Sequence, residues 1–216
     1  MNRFDNIDCM QGMAEYEDNH FDLCICDPPY GIDWMKQIQN PNEGKNWKKY
    51  KEKSWDKESP SEEYFEELKR VSKNQIIWGA NYYENMPPTP CWIIWDKMQE
   101  FTGAVFEMAW TSFNTPAKAF RMSRVEAYTH QLKIHPTQKP IALYKWLLTK
   151  YAKEGDKILD THVGSASSLI ACEDMGFNYV AFEIDKDYYD AAQKRLKQFR
   201  SQLKIDFKEV CKECRE

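Results

Sequence analysis

The residues best suited to chemistry are Asp27, Pro28, Pro29 and Tyr30. They follow Phe21-Asp22-Leu23-Cys24-Ile25-Cys26, a short apolar run that reads as a buried strand. An acid and two prolines end the run abruptly, so a carboxylate and an aromatic ring sit in a rigid turn at the strand's carboxyl end. In open α/β sheets that edge is where ligands bind. A plain proline-stiffened turn has the same letters, and the features below shift the balance toward chemistry.

A second constellation lies in the last third. Lys157-Ile158-Leu159-Asp160 reads as a strand, and Thr161-His162-Val163-Gly164-Ser165-Ala166-Ser167-Ser168 as a small-residue turn feeding a helix that stops at Gly176. Asn178 to Ile184 is the next strand, and Asp185 caps a helix running to about Phe199. Glu183 lies 23 positions after Asp160, near the spacing at which such βαβ units hydrogen-bond a ribose. The loop has no G-x-G-x-x-G, so a dinucleotide fingerprint is absent.

The elements that must position these groups follow from pattern. Residues 5–17 read as a short strand or turn and a helix, with Asp8 at the turn. Ser59-Pro60-Ser61-Glu62 predicts a helix start with a capping box from Ser59 to Glu62, and Phe65, Leu68 and Val71 form its apolar stripe. Residues 75–79 and 91–96 predict buried strands, and 104–111, with Phe106, Met108 and Trp110 alternating, a strand with one wetter face. From Asn114 to Ile134 the pattern fades. His135-Pro136-Thr137-Gln138-Lys139-Pro140 then opens a helix lined by Leu143, Trp146, Leu147 and Tyr151.

A chain of 216 residues suits one domain, about 1–205, with a loop at about 31–59 and a tail at 206–216. With 42% apolar and 30% charged residues and no run long enough for a bilayer, it reads as a soluble protein rather than a membrane one. Seven scattered cysteines fit reduced thiols and a cytoplasmic setting. Cys211-x-x-Cys214 is half of a zinc pattern with no second pair nearby, so no metal is expected. The net charge is −4, yet residues 33–57 hold seven lysines against four acids, and residues 114–140 hold five lysines and arginines against Glu126 alone. Trp34, Trp47, Tyr50 and Trp55 lie among the first group. Cations interleaved with aromatics suit nucleic acid, through phosphate contacts and stacking. Solvated loop faces are the bland alternative.

Taken together, the segments resemble the β class of S-adenosylmethionine-dependent DNA amino-methyltransferases, in which the catalytic block precedes the cofactor block. Asp27-Pro28-Pro29-Tyr30 matches the catalytic motif, Ile158-Leu159-Asp160 with Gly164-Ser165 the methionine-binding loop, and Phe182-Glu183-Ile184-Asp185 the strand end whose acid holds the ribose. The 135–140 segment matches the junction between target recognition and the cofactor half, and Asp8 an acid near the cofactor's adenine. The resemblance spans most of residues 5–200. It implies an α/β, Rossmann-like fold, with a mostly parallel three-layer sheet and circularly permuted motifs. It assigns catalysis to Asp27, Pro28, Pro29 and Tyr30. It assigns the cofactor to Asp8, Asp27, Thr137 and Lys139, and to Asp160, Thr161, Gly164, Ser165 and Glu183. Lys45, Lys48, Lys49, Lys118, Arg121 and Arg124 are the expected DNA contacts. The family's loop usually runs Asp-Pro-Phe-x-Gly-Ser-Gly; Thr161, His162 and Ala166 depart from it, and Ala166 fits on the expectation that its φ is negative. The recognition region, about 112–134, is short, which makes a homodimer the assembly to expect.

An adenine amino group is a poor nucleophile because its lone pair is delocalised into the ring. The Asp27 carboxylate and the Pro28 carbonyl can each accept one of its N–H bonds, drawing the nitrogen toward tetrahedral geometry while Tyr30 offers a stacking face. A base inside a duplex is out of reach and must be flipped out. Aspartate at the head of the motif resembles the adenine-N6 members, where serine is commoner in cytosine-N4 enzymes. Cytosine-N4 methylation and a non-catalytic DNA-binding subunit are the alternatives.

Overall fold

The computed structural model describes residues 2–33, 56–84, 86–99, 104–129 and 133–202. The loop lysines Lys45, Lys48 and Lys49, the aromatics Trp34, Trp47, Tyr50 and Trp55, and the Cys211/Cys214 pair lie outside these residues.

The strands are β1 (Arg3–Asp5), β2 (Leu23–Cys26), β3 (Gln75–Trp78), β4 (Ile93–Asp96), β5 (Phe106–Thr111), β6 (Lys118–Arg121), β7 (Lys157–Asp160) and β8 (Asn178–Phe182). They form one sheet in the order β1-β8-β7-β2-β3-β5-β4-β6. β5 alone runs against the others, pairing antiparallel with β3 and β4. The helices are α1 (Cys9–Met13), α2 (Glu62–Val71), α3 (Arg124–Tyr128), α4 (Ile141–Tyr151), α5 (Ser167–Met175) and α6 (Lys186–Arg200), with a single 3₁₀ turn at Ala80–Tyr82.

Strict alternation sorts the strand side chains into two cores. Leu23, Ile25, Ile76, Trp78 and Ile158 face one way and pack with Leu143 and Leu147 of α4, Leu169 and Ile170 of α5 and Leu196 of α6. Cys24, Cys26, Ile77, Leu159 and Phe182 face the other way and meet Tyr64, Phe65, Leu68 and Val71 of α2. A parallel sheet covered on both faces must read as a nearly continuous apolar run, and β2 does, with all four residues buried. Each such side chain contributes about 1.5–3 kcal/mol by leaving water. This is the three-layer α/β architecture implied by the resemblance.

The chain runs from β2 outward to β3 on one side, but from β7 outward to β8 on the other. The direction of winding therefore reverses between β7 and β2, which are neighbours in parallel register with Leu23 opposite Ile158 and Cys24 opposite Leu159. A crevice opens at such a switch point, beyond the strands' carboxyl ends. Asp27 and Thr161 are the first residues after Cys26 and Asp160, so the catalytic motif and the cofactor loop flank the switch point.

Two boundaries differ from expectation, and the turn expected at Asp8 is a helix cap. The α2 helix starts at Glu62 after Ser61, whose side chain makes no cap bond, so Ser59 is not the cap; the proline at 60 keeps Ser59 extended and outside the helix. Residues 118–121 of the supposedly patternless region form β6, an edge strand beside β4 that is mostly exposed and so carries no inward alternation. Asp8 is the N-cap of α1, where its Oδ1 accepts the Met10 and Gln11 amides at 2.8 and 3.4 Å.

The segment after β3 seats the Asp-Pro-Pro-Tyr turn. Gly79 has φ 71°, and a Cβ there would stand 2.0 Å from the Tyr30 ring. Tyr82 stacks on Tyr30 with centroids 5.2 Å apart and planes 15° apart. Tyr83 donates its hydroxyl to the Pro28 and Pro29 carbonyls, both at 3.1 Å. Gly79→Ala combines left-handed strain with displacement of Tyr30, and is expected to cost roughly 2–4 kcal/mol in urea unfolding.

Candidate active site

Both oxygens of Asp27 hold donors. Oδ1 accepts the Tyr30 hydroxyl at 2.7 Å, and Oδ2 lies 2.5 Å from the Lys139 ammonium. Burial pushes the Asp27 carboxyl up, and Lys139 pulls it part of the way back. Lys139 also reaches Glu107 Oε2 at 3.2 Å, and Lys97 reaches Glu107 Oε1 at 2.8 Å. Burial pushes the Glu107 carboxyl up, but Lys139 and Lys97 outweigh it and bring it down to about 2. The resemblance assigned Lys139 to the cofactor, and no motif pointed to Glu107 as its partner. The signal lay in the wetter face of residues 104–111: an antiparallel β5 turns that face toward Asp27, and Glu107 is the charge it carries.

Asp56 secures the turn from outside the motif. Its Oδ1 accepts the Tyr30 and Gly31 amides at 2.7 and 3.2 Å, and its carbonyl accepts the Asp33 amide at 2.9 Å. The two flanks of the basic stretch 34–55 therefore meet directly beneath the catalytic motif.

On the cofactor side, Glu183 ends up beside the loop as its spacing implied. Its Oε2 accepts the Gly164 amide at 2.8 Å and its Oε1 the Asp185 amide at 2.9 Å. Asp160 is occupied with the loop itself, accepting the His162 amide at 3.0 Å and the Ser168 hydroxyl. Burial pushes its carboxyl up to about 7 despite those donors. Thr161 bridges the Tyr64 hydroxyl at 2.7 Å and His162 Nδ1 at 2.9 Å. Burial pulls His162 down to about 4, so at neutral pH it is an uncharged ring, edge-on to Tyr64. Arg195 of α6 holds the loop from behind through the Ser165 carbonyl at 2.6 Å and the Ser167 hydroxyl at 2.9 Å. Thr137 hydrogen-bonds His135, whose ring lies 3.7 Å from where a Gly164 Cβ would be. Acids at the ends of β2, β7 and β8 suit a cofactor that carries a sulfonium charge and ribose hydroxyls, so these residues fit the S-adenosylmethionine implied by the resemblance.

The expected basic residues are divided. Arg121 ends β6 at the carboxyl edge, pairs with Asp96 at 3.4 Å and is 73% exposed. Arg124 opens α3 just after it. Lys118 starts β6 opposite Ile93, at the strand's other end, so the structure does not group it with the arginines.

A family model of DNA methylases of the N6/N4 type matches residues 77–194. The chain belongs to that family. It is 27% identical to the type II methyltransferase M.HpaI of Haemophilus parainfluenzae, over 87% of this chain and 71% of that protein. Its fold matches the crystal structure of an M1.HpyAVI–SAM complex with a TM-score of 0.59 at 17% identity, covering 91% of this chain and 99% of the other. It also matches PvuII DNA methyltransferase, a cytosine-N4-specific enzyme, with a TM-score of 0.58 at 14% identity, covering 95% and 88%. The protein is thus a DNA methyltransferase of the N6/N4 family.

One expectation for this methyltransferase is corrected. Ala166 has φ 61° and ψ 23°, the left-handed region, where the family's glycine pays nothing and alanine is strained. It must turn the chain into α5 within one residue, directly before Ser167. Ala166→Gly is therefore expected to leave stability unchanged or raise it by up to about 1 kcal/mol in urea unfolding, whereas the same change at a negative φ costs about that much.

Proposed function

We propose that this methyltransferase moves a methyl group from S-adenosylmethionine to the amino group of a flipped-out adenine in DNA. The observation that carries the reading is the position of Asp27, an acid beside a proline carbonyl at the β7–β2 switch point, one strand from a loop edged by acids. The cofactor supplies an activated methyl on a sulfonium, so alignment is the protein's main task. Asp27 and the Pro28 carbonyl accept the two N–H bonds, which localises the lone pair on nitrogen and stabilises its developing positive charge. The Pro28 carbonyl already takes the Tyr83 hydroxyl, and its second lone pair serves the amine. Asp8, Thr137, Thr161, Gly164, Ser165 and Glu183 line the donor's side.

Arg121 and Arg124, with Lys45, Lys48 and Lys49 in the stretch whose flanks meet under the turn, contact the phosphates. One strand and one short helix are a small recognition region, which favours two copies acting on a duplex; sedimentation with DNA tests this. The amine recognised by Asp27 and Pro28 is shared by cytosine, so cytosine-N4 transfer is the second reading. Aspartate at the head of the motif favours adenine.

Digestion of DNA modified by the purified protein to nucleosides is expected to release N6-methyl-2′-deoxyadenosine, and N4-methyl-2′-deoxycytidine alone would overturn the choice of base. Asp27→Ala is expected to lower kcat about a thousandfold or more while calorimetry still shows cofactor binding. Full activity in that variant would end the mechanism.

A further inference from the structure

We infer that Lys139 and Glu107 act as a pair of positioning residues for Asp27: Lys139 is its resting counter-ion, and Glu107 is the seat to which that ammonium moves when the target amine takes Asp27. This rests on Asp27 being the amine's acceptor, as proposed above.

At rest each Asp27 oxygen already holds a donor, the Tyr30 hydroxyl on one and the Lys139 ammonium on the other. An arriving amine either replaces one of them or takes the second acceptor site of the same oxygen. The Lys139 ammonium is also the wrong neighbour during transfer, because a cation 2.5 Å from the carboxylate opposes the positive charge developing on the amine nitrogen. Among the described residues it is shielded from water. Its side chain is 1% exposed and is flanked by the Trp78 ring at 5.0 Å and the Tyr30 ring at 5.8 Å.

Glu107 also reaches the same ammonium, at 3.2 Å against 2.5 Å for Asp27, so a movement of about one ångström exchanges the closer carboxylate. Lys97 fixes the other Glu107 oxygen at 2.8 Å and keeps the seat in place. Two lysines held near Glu107 keep it ionised and ready to receive charge. The groups that bear on the Asp27 charge from surrounding elements are Lys139, Glu107 of β5, Asp160 of β7, Tyr144 of α4, and Tyr30 and Tyr83 of the two turns.

The sign of each substitution follows from this layout. Lys139→Met removes the cation that favours ionised Asp27, so the carboxylate protonates more readily and the acid limb of the kcat/KM profile moves up in pH. Activity at pH 6 is expected to fall about tenfold or more relative to pH 8, with cofactor affinity unchanged and Lys139→Arg restoring the limb. Glu107→Gln removes a negative neighbour and leaves Lys139 to Asp27 alone, so the limb moves down while plateau kcat falls about tenfold, because the ammonium no longer yields. Where the limb lies below the assay range, carboxylate 13C NMR of Asp27 reads the same movement. Opposite movements in the two variants support the inference. Profiles parallel to wild type, or lost cofactor affinity with an unmoved limb, overturn it. If Lys139→Met fails to fold, the nearly isosteric Glu107→Gln decides alone, and an unmoved Asp27 titration overturns the pairing. Full activity in Asp27→Ala would instead strike the underlying function, so the two failures are distinct.

Discussion

An ammonium shared between two carboxylates, almost out of reach of water, ties together parts of the chain that are far apart in sequence. Lys139 precedes α4, Asp27 ends β2 and Glu107 sits on β5, with Lys97 closing the series from beyond β4. Removing such ions from water costs several kcal/mol each, and the cost is met only when every charge has a close partner. Two anions and two cations, each in contact with the next, meet that condition. The same contacts force the recognition half and the cofactor half of the chain to agree on where Asp27 points. The prolines stiffen the turn, but Gly79, Tyr82, Tyr83 and Asp56 decide its position.

The cofactor edge follows a related economy. Glu183 and Asp160 each spend part of their capacity on backbone amides of the loop between β7 and α5, so the acids that give the site its negative potential also shape it. Arg195 holds the loop from the α6 side through the Ser165 carbonyl and the Ser167 hydroxyl. The alanine at 166 is the strained member. Its left-handed backbone is set by the need to start α5 at once, and the fully buried methyl group remains part of the core.

Much of this was legible in the chain. The apolar run before Asp27, the small-residue loop after Asp160 and the strand ending at Glu183 are local patterns, and local patterns survive folding. The sheet came from the family resemblance that those motifs carry. What could not be read was long-range. Glu107 becomes part of the site because β5 runs antiparallel beside β3, and nothing within residues 104–111 reports which strand it will pair with. The strand β6 escaped notice because an exposed edge strand needs no apolar face. The left-handed conformation of Ala166 escaped because alanine normally signals the opposite backbone.

The resting site is almost fully satisfied, and this bears on how a base can enter it. Among the described residues, Trp78 Nε1 is the buried side-chain polar atom without a partner, while every acceptor around Asp27 holds a donor. An empty pair of acceptors at that depth would cost roughly 1–3 kcal/mol each in desolvation, and more for the charged one. Donors stored on the spot remove that cost until the target amine arrives. Where the amine exchanges one hydrogen bond for another, the step is nearly balanced and leaves the binding energy of the duplex available for unstacking the base. Such an exchange requires a displaced donor with somewhere to go. Tyr30 is stacked on Tyr82 and, among the described residues, has Asp27 and Lys139 at its hydroxyl, whereas Lys139 already touches a second carboxylate. The ammonium is therefore the partner the geometry lets go.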